Sequence, residues 1–135
     1  MSITLREQGI ETVHDQVVSL VAQRWAKVFV CKVTIRTSLE KNPRTDPYQP
    51  CDIVGWYISS GGNTMEWMAE VETEESLADP LVIDKWRKAF TRGIPFYVLV
   101  PLGLKEATQK LALEASLVFA CIYEYTFVND VCHVL

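Results

Sequence analysis

Asp52, Glu70 and Glu72 are the side chains whose types and spacing could do chemistry together. They lie in residues 50–75, where two apolar, β-rich runs flank Ser60-Gly61-Gly62-Asn63, a turn signal that predicts a hairpin. With the turn centred on Gly61, Asp52 falls opposite Glu70, and opposed side chains share a face at a Cβ separation of roughly 5 Å. Glu72, two residues further on, returns to the same face. A slip of one residue would set Asp52 against Val71 and turn both glutamates away. In the favoured register three carboxylates converge at one end of the hairpin. Like charges so close repel unless a cation or a basic side chain neutralises them. An oxygen-rich set of this kind suits a hard divalent cation, magnesium, manganese or calcium, better than zinc. The competing reading treats the same acids, running on into Thr73-Glu74-Glu75, as a solvated strand exit and the electronegative start of the next helix.

Other elements must hold these acids in place. Residues 9–28 predict an amphipathic helix, with Ile10, Val13, Val17, Leu20, Val21 and Val28 at helical spacing. His14 falls within or beside that stripe and is read as a packing or rim residue rather than a catalytic one. Residues 28–37 form a β-branched run and predict the first strand. A polar connection, residues 38–50, carries Lys41, Arg44 and Tyr48. It is read as a solvated linker, with contact to a phosphate backbone as the alternative. The hairpin is apolar on both faces: Val54, Trp56 and Ile58 share the face of Asp52, while Trp67, Ala69 and Val71 point the other way. A sheet of that kind needs cover on both sides. From residue 66 to 79 come six acids and no base, and then the sign reverses. Asp79-Pro80 and Gly93 bracket a helix with the stripe Val82, Ile83, Trp86 and Phe90, ringed by Lys85, Arg87, Lys88 and Arg92. Those bases either satisfy the preceding acids or, in the case of Lys85, reach back towards the hairpin. Residues 94–101 predict a buried strand, 104–115 a helix, and 117–128 a last strand, a unit that favours a parallel pair.

The segment around Asp52 resembles the PD-(D/E)xK nuclease superfamily, the restriction-endonuclease-like fold, in which an Asp opens one strand and an acid-x-Lys tripeptide lies on the next. Asp52 matches the first acid and Glu70 the second. Residue 51 is Cys, with Pro50 one place early, and Glu72 occupies the lysine position. The resemblance extends in element order over nearly the whole chain. It implies an α/β, three-layer α/β/α core of order α-β-β-β-α-β-α-β with a mixed sheet, a single domain over residues 1–135. It implies a Mg2+ or Mn2+ ion on Asp52, Glu70 and Glu72, with Glu11 added from the first helix. Asp52, Glu70, Glu72 and Lys85 form the expected catalytic set, Lys85 supplying from the next helix the cation missing at position 72. The function implied is phosphodiester hydrolysis of nucleic acid, by a protein of a type that often works as a homodimer. The alternative is a descendant of the fold that keeps the sheet as a binding or interaction module without the chemistry; a small-molecule phosphohydrolase is a third reading.

Composition sets the outer limits. At 135 residues, 49% apolar and 22% charged, the chain is one ordinary globular domain. A net charge of −4 argues against coating long nucleic acid by charge alone. Cys31, Cys51, Cys121 and Cys132 show no C-x-x-C spacing, and Cys132-His133 has no second pair with which to make a zinc site. No signal-peptide pattern and no run of apolar residues long enough to span a bilayer occurs, so a cytoplasmic protein with reduced thiols and no membrane partner is expected.

Overall fold

The computed structural model describes residues 12–37 and 49–135. Glu11 and the loop residues Lys41, Arg44 and Tyr48 lie outside the described residues.

Helix α1, Val13–Phe29, starts at Thr12, whose hydroxyl accepts the amide N–H of Asp15. It buries Val17, Val18, Val21 and Ala22. The strand expected from residue 28 begins instead at Lys32, because the helix runs on to Phe29 and stops at Val30, in left-handed backbone at φ 50°. Aromatic packing explains the extension. Trp25 and Phe29, one turn apart, stack edge-on at 6.0 Å, and both lie 5.4 Å from the Trp67 ring. Unwinding that turn would take Phe29 off Trp67.

Strand β1, Lys32–Ile35, pairs antiparallel with β2, Ile53–Ser59, which pairs antiparallel with β3, Gly62–Val71. The turn is one residue tighter than the sequence predicts: Ser59 faces Gly62, leaving Ser60-Gly61 at the tip. A β-bulge between Gly55 and Trp56 absorbs the offset, with Glu66 as the extra residue on β3. Beyond it Gly55 faces Trp67, Val54 faces Met68 and Ile53 faces Ala69, which is the expected register. Position 55 admits only glycine, since a Cβ there would lie inside the Trp67 indole.

The helix expected between Asp79 and Gly93 forms, and a shorter one precedes it after β3. The short α2, Glu74–Ala78, is fixed by a reciprocal cap between Thr73 and Ser76. Asp79 then bridges the break, its carboxylate accepting from the Leu81 amide at 2.9 Å and its carbonyl from Val82. Helix α3, Val82–Phe90, follows, and Gly93 (φ 71°) turns the chain out of it. Strand β4, Phe96–Pro101, lies parallel to β3; α4, Lys105–Glu114, crosses to β5, Cys121–Val128, parallel to β4. A further strand, β6 (Val131–Val134), pairs antiparallel with β5 across Asn129-Asp130, both with positive φ, as a two-residue hairpin turn requires.

The described residues thus form an α/β unit with a mixed six-stranded sheet in the order β1-β2-β3-β4-β5-β6 and four helices. The hairpin faces fall as the alternation predicts. Ile53, Trp67, Ala69 and Val71 join the α1 residues, Leu99 and Tyr125 in one core. Val54 and Met68 join Val82, Trp86 and Ala89 of α3 and Ala112 of α4 in the other. All four cysteines are free thiols. Among the described residues no helix is long and apolar enough to cross a membrane.

Candidate functional site

The bulge sets Asp52 and Glu70 side by side where β2 and β3 leave the buried half of the sheet. The Asp52 amide donates to Glu70 Oε1 at 2.7 Å, and the Val71 amide donates to Asp52 Oδ2 at 2.9 Å, so each carboxylate is held by the other strand's backbone. Gln49 clamps the approach to β2, its Nε2 donating to the carbonyl of Cys51 at 2.9 Å. The Arg36 amide donates to the Asp52 carbonyl at 2.8 Å.

Glu72 arrives on the same face and is fully buried, but its carboxylate faces the helices that follow. Oε1 accepts from Ser76 Oγ at 2.7 Å and Lys85 Nζ at 2.9 Å; Oε2 accepts from the Trp86 indole at 2.8 Å. Its carbonyl takes the Tyr125 hydroxyl at 2.9 Å, and burial pushes that phenol up to about 12. Glu72 is therefore the anchor for Lys85, whose ammonium lies 3.4 Å from Glu70 Oε2. The lysine expected from the next helix does reach the acids. The expected convergence of three carboxylates is met by two, and among the described residues no three acidic, histidine or cysteine side chains are grouped to hold a metal ion.

His14, expected as a packing or rim residue, belongs to the site. From the first turn of α1 its Nε2 donates to Asp52 Oδ2 at 3.0 Å and its Nδ1 to Asp15 Oδ1 at 2.8 Å. Burial works against the charged ring, but the hydrogen bonds and charges of Asp52 and Asp15 outweigh it and raise its pKa to about 9. Both ring nitrogens accordingly carry protons at neutral pH. The available signal was His14-Asp15 just inside a helix start at Thr12, two residues whose rotamers only the fold determines.

The carboxyl groups of the two acids are shifted in opposite directions. Burial opposes ionisation of Asp52, yet the hydrogen bond and charge of His14, helped by the Val71 amide, hold its carboxyl below the ordinary value. Burial and the adjacent Asp52 charge push the Glu70 carboxyl well above the usual range, with the Lys85 charge partly offsetting them. Glu70 Oε2 is buried without a hydrogen-bond partner, its approach to Lys85 being an ion contact only. A buried carboxylate oxygen in this condition is an acceptor short of a hydrogen-bond donor.

Comparison of the chain with protein-family models, with curated proteins and with solved structures finds no match. The functional reading therefore rests on the geometry of this site.

Proposed function

We propose that the protein is a metal-dependent nuclease of the restriction-endonuclease-like type, hydrolysing phosphodiester bonds of nucleic acid with Mg2+ or Mn2+ held by Asp52 and Glu70. One observation carries this reading: a buried pair of carboxylates from adjacent strands, one oxygen of which lacks a hydrogen bond, with a lysine delivered beside it from the following helix. The succession of a helix, three antiparallel strands and two parallel strands reached through helices supports it. So does the packing of α1 against one core and of α3 and α4 against the other. When bound, the cation would supply Lewis-acid activation of water and neutralise charge developing on the phosphate. The chain's own residues do the rest. Asp52 and Glu70 would hold the ion through their carboxylates, and the His14 ring, bonded to Asp52 Oδ2, favours the charged form of that acid. Glu72 fixes Lys85 so that its ammonium lies beside the acids and stabilises negative charge on the reacting group. Glu72 thus acts through Lys85, in place of the third-ligand role expected from the sequence.

A second reading, a binding or interaction module without hydrolysis, is favoured by one observation: Lys85 and His14 already neutralise the acids from within. Cleavage of DNA and RNA with Mg2+ or Mn2+, set against Asp52→Ala and Glu70→Ala, tests the proposal. Activity in the wild type and its loss in both variants is expected; equal activity in all three removes the site assignment. A folded protein without activity that gains no thermal stability from saturating Mn2+ leaves the module reading. Sedimentation of the same samples tests the homodimer that the family resemblance implies.

A further inference from the structure

Arg36 follows β1 and stands over the same two acids as a distant ion partner, its guanidinium hydrogen-bonded to neither carboxylate. Its Nη2 lies 3.9 Å from Asp52 Oδ1 and 3.9 Å from Glu70 Oε1, beyond hydrogen-bond range. The hydrogen bond its guanidinium makes is a long one, Nη1 to the Gln49 carbonyl at 3.4 Å. A guanidinium has five N–H donors in a planar fork, so most of these are uncommitted among the described residues. The base of the side chain is nevertheless well fixed, because the Arg36 amide is bonded to the Asp52 carbonyl at 2.8 Å. A third of the side chain, 32%, is open to solvent.

At 3.9 Å Arg36 is an outer ion-pair partner of both acids, and the closer positions are held by other groups. Asp52 has His14 at 3.0 Å and the Val71 amide; Glu70 has the Asp52 amide at 2.7 Å and Lys85. Building on the reading of Asp52 and Glu70 as a cation site, we propose that Arg36 is an anion subsite, taking a phosphodiester oxygen of a nucleic-acid strand next to the acid pair. A divalent ion on the acids would displace the guanidinium from its loose position over Asp52 Oδ1 and Glu70 Oε1, leaving its fork for phosphate. Bidentate donation from a planar, permanently charged group is the chemistry that matches such an oxyanion. Arg36 and the divalent ion therefore repel each other as like charges on one acid pair but cooperate once the strand is bound.

The test compares wild type, Arg36→Gln and Arg36→Lys in two titrations. The first follows a short fluorescein-labelled DNA oligonucleotide by anisotropy, in Ca2+ and again in EDTA. The second follows Mn2+ by calorimetry. Arg36→Gln should weaken oligonucleotide binding by about tenfold or more, with partial rescue in Arg36→Lys, since a charge-assisted phosphate contact is lost. The same variant should bind Mn2+ at least as tightly as wild type, because a repelling charge is gone. Three results overturn the proposal: oligonucleotide affinity in Arg36→Gln within about twofold of wild type; joint loss of oligonucleotide binding, Mn2+ binding and thermal stability, which marks a structural arginine; or no oligonucleotide binding by wild type in either buffer. Arg36-dependent oligonucleotide binding by a wild type that takes up no Mn2+ would sustain the subsite while removing the metal reading of Asp52 and Glu70.

Discussion

His14 offers the sharpest test of the site, because its protonation is tied to folding. The ring belongs to α1 and its partner Asp52 precedes β2, so the ion pair exists only in the folded chain. Its pKa rises from an ordinary 6.5 to about 9. A raised folded-state value means stabilisation that is fully present below pH 6.5 and is lost as pH climbs through 9. At 1.36 kcal/mol per pH unit the interval gives a ceiling of about 3 kcal/mol, and the ring's partial exposure of 23% trims this to about 2 kcal/mol. Glu70, also raised, contributes a slope of the same sign, whereas Asp52, lowered, contributes stability that disappears only in acid. The discriminating quantity is therefore the difference between wild type and His14→Gln. Urea denaturation of the metal-free protein across pH 6.5 to 9 should show that difference shrinking by about 2 kcal/mol, and NMR titration of the ring should place its midpoint near 9. Parallel pH profiles for the two proteins would refute the assigned ion pair, as would a ring that titrates at its ordinary value.

Three further outcomes follow from the same contacts. Glu70→Gln removes a charge that burial and the neighbouring Asp52 disfavour, so it should leave the metal-free fold within about 1 kcal/mol of wild type while removing any Mn2+-induced rise in Tm, both read by thermal unfolding. Trp86→Phe takes the indole N–H from Glu72 Oε2 and leaves a buried carboxylate oxygen short of a donor, costing about 1–3 kcal/mol in urea denaturation. Gly55→Ala drives a methyl group into the Trp67 ring at the bulge and should cost about 3 kcal/mol or more, measured the same way, or prevent folding.

Much of the architecture was legible in the chain because apolar alternation reports faces directly. Trp67, Ala69 and Val71 went to one core, Val54 and Met68 to the other, and β3, β4 and β5 run parallel through helical connections. The pairing of Asp52 with Glu70 was also legible, though two offsets cancelled: a turn one residue tighter and a bulge one residue long. Such a bulge depends on how Trp67 packs over Gly55, a contact between strands that no local pattern carries. The β6 hairpin had its signal in Asn129-Asp130, flanked by apolar residues, and was missed because Leu117–Val128 already completed a plausible sheet. The roles of His14, Arg36 and Glu72 were hidden for another reason. Each is decided by where a long or rotatable side chain ends, and Glu72 turns from the acid pair because Ser76, Lys85 and Trp86 fold back over it.

The bulge has a dynamic consequence as well. It divides the β2–β3 ribbon into an outer part, exposed through residues 57–64, and an inner part buried over residues 53–55 and 67–71. Opening of the outer ribbon breaks hydrogen bonds already open to water and uncovers little apolar surface, so it is a low-energy excursion independent of global unfolding. In amide hydrogen exchange Tyr57 and Thr64 should lose protection early, while the amides of Asp52 and Val71, bonded to the acids themselves, exchange only when the sheet comes apart.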